Sequence, residues 1–301
     1  MTITEDRPTR IETPRAGDEG CLIVSGNDSP GIVVALSAVL SELGANIVSF
    51  DQHSTDLIGG RFFLRTMFRL QDLALARPLL QTALDREIRD KLGLEWRLTE
   101  SSKPKRVALF TSKTDHCLLD LLWRHSRGEL NISVEMVVSN HPDLAEKVRA
   151  FGIPYFFVPV ENGDKKAAEQ EHLRLLNGNV DFVVLARYMQ IISGEFIRDV
   201  GVPIINIHHS FLPAFIGAGP YKKARDRGVK LIGATAHYVT EDLDEGPIIE
   251  QDVVRVSHSD STQNFVRRGA DVERQVLSRA VAWHSEDRVV RDGNTTIVFA
   301  S

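Results

Sequence analysis

From Arg106 onward the sequence alternates short apolar runs with amphipathic stretches. "RVALFTS", "ISVEMVVS", "YFFVPV", "DFVVLARY" and "VPIINI" are interleaved with "HCLLDLLWRHS", "DLAEKVRAFG" and "KKAAEQEHLRLL". A strand that is apolar along its whole length buries both faces, so helices must cover both sides of its sheet. The pattern predicts an α/β unit with a mostly parallel sheet, whose ligands bind outside the carboxyl ends of the strands.

The chain upstream of this unit has another rhythm. "CLIVSG" reads as a strand, and "SPGIVVALSAVLSELG" as a helix with Ser29 at its N-cap, Pro30 in its first turn and Gly44 just past its end. "NIVSFDQHS", the alternating "RFFLRTMFRL", a long helix near "ALARPLLQTALDREIRDKLG" and the strand "EWRL" complete a β-α-β-β-α-β order, the ferredoxin-like arrangement. The expected organisation is a disordered tail over 1–19, a ferredoxin-like unit over 20–98, a linker over 99–105 and the parallel-sheet unit over 106–301. Two domains suit a chain of 301 residues at about 150 residues per domain.

Composition narrows the partners. The 36 basic and 41 acidic residues leave a formal charge of −5 with no block of like charge, which argues against nucleic acid and anionic membrane surfaces. No apolar run reaches the roughly 18 residues of a membrane span. Cys21 and Cys117 stand far apart in no metal-ligand spacing, so no disulfide framework and no metal site are expected, and the reducing cytoplasm is the expected compartment. The polar N-terminus lacks the apolar segment of a secretory signal.

Polar chemistry concentrates in "INIHHSFLPAFIGAGPYKKARDRGVKLIGATAHYVTEDLDEGP", Ile205 to Pro247, directly after an apolar run. If the strand continues through "INIHH", Asn206 and His208 project from one face, an amide donor beside an imidazole. His209 then points away and reads as structural. "EDLDEGP" brings four carboxylates, Glu241, Asp242, Asp244 and Glu245, any of which could hold an imidazolium or take a proton from water. Spacing does not choose among them, and by the residues alone a solvated acidic turn is the simpler reading.

"NIHHSFLP", "GATAHYVTEDLDEGPII" and the upstream "LARYMQIIS" resemble the formyltransferase fold that uses 10-formyltetrahydrofolate, a Rossmann-like family, over about Lys105 to the C-terminus. The resemblance implies a catalytic set of Asn206, His208 and Asp244. It implies a pterin site beside Met189, Gln190, Ile191 and Ile192, with Thr240, Glu241 and Leu243 from the acidic loop and His237 in support. By the residues alone, the apolar members of that set could equally be plain core. Lys113, His116 and Gly217 are further supporting candidates.

"GNDSPGIVVALSAVLSELGANIVSF" resembles an ACT domain, a module that often binds amino acids and pairs with its own copy. That implies an effector loop of Asn27, Asp28, Ser29, Pro30 and Gly31, a response to glycine or methionine, and a homo-oligomer; a plain helix-capping loop is the alternative. An ACT-like unit before a formyltransferase fold resembles the hydrolytic branch of the family. There water takes the formyl group, releasing formate and tetrahydrofolate, which supplies formate to purine biosynthesis and balances one-carbon pools without a cofactor beyond the folate.

The residues offer an independent sign. A ribonucleotide acceptor calls for a glycine-rich cradle for its phosphate, and "FTSKTDHCLLDLL", Phe110 to Leu122, contains no glycine. Transfer to an amine acceptor and a non-catalytic folate or amino-acid sensor are the competing readings.

Overall fold

The structure is a computed structural model that describes residues 16–213 and 220–299. The chain divides into two compact units between Lys103 and Pro104.

In the first unit a 3-10 turn at Ala16–Asp18 leads into β1 (Glu19–Asn27), α1 (Ile32–Glu42), β2 (Asn46–Ser54), β3 (Arg61–Arg69), α2 (Leu73–Leu84), a π turn at Asp85–Asp90 and β4 (Glu95–Glu100). The sheet runs β2-β3-β1-β4, every neighbouring pair antiparallel. Phe62, Leu64, Phe68 and Leu70 are buried with Leu36, Leu40, Leu80 and Leu84 of the helices, which fixes the register of β3 by its apolar alternation.

Three boundaries differ from expectation. The 3-10 turn at Ala16–Asp18 falls within the expected tail, and residues 1–15 lie outside the described residues. The connection between the units shrinks to 101–104, because β4 runs to Glu100 and the next strand starts at Lys105. The N-cap of α1 is Gly31 and not Ser29: Gly31 turns the chain at φ 92°, left-handed backbone that glycine adopts without a Cβ clash, so the helix starts two residues after Pro30.

The second unit contains β5 (Lys105–Thr111), α3 (His116–Ser126), β6 (Ile132–Ser139), α4 (Ala145–Arg149), β7 (Tyr155–Phe157), α5 (Lys165–Leu176), β8 (Phe182–Leu185), α6 (Gly194–Val200), β9 (Ile204–His208), α7 (Pro220–Arg227), β10 (Leu231–Tyr238), β11 (Ile248–Arg255), α8 (Thr262–Ser285) and the hairpin β12 (Val289–Asp292) and β13 (Thr295–Val298). Its seven-stranded sheet runs β11-β10-β9-β8-β5-β6-β7. The pairs from β9 to β7 are parallel, whereas β10 is antiparallel to both β9 and β11.

Both faces are covered. Leu109, Val184, Ile205, Ile207, Ala234 and Ala236 pack beneath Leu118 and Leu121 of α3 and Val276 and Ala280 of α8. Ala108, Phe110, Val183, Leu185 and Ile204 pack on the other side with Leu175 and Phe196. The sheet is wound in opposite directions from β5 to β6 and from β5 to β8, a topological switch point where such sheets bind ligands. Among the described residues no helix is long and apolar enough to cross a membrane.

Candidate active site

Strand β9 alternates as its sequence requires. Ile205 and Ile207 enter the core beneath α8, which leaves Asn206 and His208 on the opposite face, beyond the point where Ile204 is still packed. The antiparallel neighbour β10 sets His237 opposite Asn206 and Thr235 opposite His208. Thr235 Oγ1 donates to Ser210 O at 2.9 Å and accepts from Leu212 N at 3.0 Å, which anchors the chain as it leaves β9.

His237 is 1% exposed, and its Nδ1 lies 3.0 Å from Tyr238 O. A carbonyl only accepts, so Nδ1 carries the proton and the Nε2 lone pair of the neutral ring accepts from Asn206 Nδ2 at 3.2 Å. That assignment turns the Asn206 amide and leaves its second N–H for a ligand.

The acidic loop then selects one carboxylate. Asp244 Oδ2 lies 3.2 Å from His208 Nδ1, and Oδ1 lies 3.7 Å from His237 Nε2. Asp242 and Glu245 are exposed, and Glu241 pairs with Arg198 at the rim. Asp244 adopts φ 59°, a left-handed conformation that Asp and Asn tolerate better than most residues. The loop closes through Tyr238 N to Pro247 O at 2.9 Å, with Gly246 pressed against the Tyr238 carbonyl. The hydrogen bond from His208 holds the Asp244 carboxyl well below the usual carboxylate range against the opposing effect of burial. His208 Nε2 is buried and has no hydrogen-bond partner among the described residues.

These groups share a cavity of about 330 Å³ with Met189, Gln190, Ile191, Ile192, Thr240, Glu241 and Leu243. Met189, Ile191 and Leu243 are 57%, 59% and 59% exposed, so they form an apolar mouth and are not core. Ile192 is half-buried against the core. The segment is pinned where Ser112 Oγ accepts from Met189 N at 2.9 Å and donates to Asn140 Oδ1 at 2.7 Å.

Other sequence candidates fall elsewhere. Lys113 is exposed and outside the cavity lining. His116 is also absent from the lining and holds Glu273 Oε2 at 2.8 Å. Gly217 lies outside the described residues. In the first unit, Asn27, Ser29, Pro30 and Gly31 are exposed and Asp28 N donates to Gly60 O at 2.9 Å.

His209 corrects the sequence reading. It lines the cavity, because β9 ends at His208 and the bend that follows breaks the alternation that would have turned it away. Its ring stands 5.3 Å from that of His208 and 6.1 Å from that of Tyr221. Burial, reinforced by the charge of Arg187, lowers its pKa to about 4, so it is neutral near pH 7.

Glu273, 1% exposed on α8, is a residue the sequence reading missed. It accepts from His116, is hydrogen-bonded by Tyr221 and lies 3.4 Å from Arg187 Nε. Burial opposes its ionisation, yet the hydrogen bond from His116 and the charge of Arg187 outweigh burial and lower its pKa. The signal was a carboxylate on the apolar stripe of Val272, Val276 and Ala280. His116, Cys117 and Glu273 bring three ligand-type atoms within 4.8 Å of one another, but the Arg187 cation beside Glu273 opposes a metal ion there.

Residues 105–281 match the formyl transferase family. The formyltetrahydrofolate deformylase of Mycobacterium bovis is 59% identical over 94% of this chain and 91% of its own length. The crystal structure of a formyltetrahydrofolate deformylase from Pseudomonas syringae pv. tomato superposes with TM-score 0.88 at 45% identity, covering 96% of each chain. Glycinamide ribonucleotide transformylase 1 of Symbiobacterium toebii matches at TM-score 0.61 and 29% identity, covering 65% of this chain and 94% of its own.

Proposed function

Since the chain belongs to the formyl transferase family and, within it, to the formyltetrahydrofolate deformylases, we propose that it hydrolyses 10-formyltetrahydrofolate to formate and tetrahydrofolate with Asn206, His208 and Asp244 as the reacting set. The observation that carries this assignment is the ionised Asp244 carboxylate bonded to His208 on the wall shared with Asn206.

Water attacks the formyl carbon and forms the new C–O bond, while Asp244 orients it and takes its proton. Asn206, its amide turned by His237, donates to the developing oxyanion; a single donor of this kind typically contributes about a hundredfold in rate or more. His208, its positive form balanced by Asp244, gives the Nε2 proton to N10 as the C–N bond breaks. Formic acid loses its remaining proton to solvent, so formate, tetrahydrofolate and a proton leave. The pterin lies against the mouth formed by Met189, Ile191 and Leu243, beside Gln190, Ile192, Thr240 and Glu241. The folate is the only small molecule this chemistry requires.

Water as the acceptor is supported at the start of α3. Its N-cap is Asp115, which accepts from Lys147 Nζ at 2.6 Å. That carboxylate is committed to Lys147 and makes no side-chain cap to the helix, and no glycine lies between Phe110 and Leu122 to open the backbone for a phosphate.

The first unit acts in this reading as an ACT module, responding to glycine or methionine through Asn27–Gly31 and pairing subunits. Its antiparallel β-α-β-β-α-β sheet supports this, as does the near full-length match to deformylases beside the 65% coverage by the transformylase. The enzyme works in the cytoplasm, where its two buried cysteines stay reduced, and supplies formate to purine synthesis.

The test is formate release from 10-formyltetrahydrofolate without an amine acceptor, beside Asp244→Asn. Asn tolerates the left-handed backbone of that position, so the variant should keep its fold and bind folate within a few-fold while turnover drops by about 10³-fold or more. Full turnover by the variant would remove Asp244 from the mechanism, and no release by the parent would remove hydrolysis.

A further inference from the structure

Hydrolysis leaves an anion in a cavity that already holds negative charge, with ionised Asp244 on the wall and Glu241 at the rim. Arg187 is the sole Lys or Arg among the described residues that line this cavity. It follows β8, whose Leu185 pairs with Asn206, so it stands at the level of His208 on the adjacent strand.

The guanidinium is built into place. Its side chain is 14% exposed, and its Nε edge faces Glu273 Oε2 at 3.4 Å without forming a hydrogen bond. Glu273 is in turn bonded by His116 and Tyr221, which satisfies both of its oxygens from other directions. No described residue accepts a hydrogen bond from the two terminal nitrogens of Arg187. Its backbone is at φ 65°, a conformation unusual for a residue with a side chain, and is held there by Ser112 N donating to Arg187 O at 3.3 Å. The neighbouring His209 is neutral near pH 7 and presents no competing charge.

We propose that Arg187 is the receptor for the formate product, its terminal N–H groups forming a two-point contact with the carboxylate beside His208 and His209. A guanidinium matches a carboxylate in this planar, paired geometry better than an ammonium does. The Glu273, His116 and Tyr221 network positions the guanidinium and moderates its charge, so that formate is bound and still released. This inference rests on the hydrolytic reading, because a transferase would leave no formate to bind.

The test is titration of the purified full chain with ¹³C-formate, followed by NMR line broadening, with formate release measured separately. Saturable broadening is expected for the parent, about tenfold weaker or more in Arg187→Gln and intermediate in Arg187→Lys. A parent with no saturable broadening, or an Arg187→Gln variant with parental affinity, overturns the inference even if turnover is intact. Should Arg187→Gln fail to fold by circular dichroism, Arg187→Lys decides: parental affinity overturns the proposal, and weakening of about threefold or more supports it. A parent that binds formate through Arg187 yet releases none from 10-formyltetrahydrofolate would instead overturn the hydrolytic reading.

Discussion

Asn206 Nδ2 lies 3.2 Å from His237 Nε2 across the antiparallel ladder that pairs the two residues. The neutral imidazole is itself fixed by Tyr238 O, so a buried histidine decides which way a reacting amide faces.

His237→Phe should therefore lower kcat about tenfold to a hundredfold with KM little changed, since the amide is misaimed while the pterin contacts survive. His237→Gln, which still offers an acceptor, should retain more activity. Steady-state kinetics on the three proteins would check this; a Phe variant that changes KM alone would contradict it.

Gly246 governs where Asp244 sits. A Cβ at this position would come 1.8 Å from the Tyr238 carbonyl oxygen, a backbone atom already committed to β10. Gly246→Ala is expected to cost about 2–4 kcal/mol in stability and to lower kcat by about a hundredfold through displacement of the carboxylate. Urea unfolding and turnover at saturating folate measure the two effects.

Lys113 is exposed and absent from the cavity wall, despite its position after β5. Lys113→Ala should leave kcat/KM within about twofold of the parent, as a solvated surface charge does little at short range. A loss of tenfold would restore it to the site.

His172 contributes to the acid sensitivity of the fold, as does His209. His172 is 1% exposed among Phe110, Tyr188 and Phe196, neither ring nitrogen has a partner among the described residues, and burial lowers its pKa from 6.5 to about 4. Between those values the unfolded chain binds a proton that the folded chain refuses, so stability falls as pH drops from about 6.5 to about 4 and is level in this respect above. The loss at the lower limit is about 3 kcal/mol. His172→Phe should make that limb shallower in denaturant titrations at several pH values, the remainder coming from His209; an unchanged pH slope would assign the sensitivity elsewhere.

Much of the fold was legible because its elements are locally encoded. The run "HCLLDLLWRHS" became α3 residue for residue, and "KKAAEQEHLRLL" became α5, since each carries its own apolar stripe. The antiparallel direction of β10 was not legible, because strand direction depends on which neighbour a strand finds in space. The N-cap shifted from Ser29 to Gly31 because one left-handed residue restarted the helix. His209 was misread because alternation holds only while a strand lasts.

The sequence by itself determined which chemistries were present: an amide and an imidazole two residues apart, and four carboxylates on one loop. Periodicity of the strand carries the first pair to one face, and no tertiary contact is needed for that. The family resemblance of the motif named Asp244 among the four, but only the tertiary structure set its carboxylate against His208, aimed Asn206 through His237, and brought Glu273 from α8 beneath Arg187. Those choices depend on distances between atoms far apart in the chain, and charge, hydrogen bonding and pKa follow distance in space and not position in sequence.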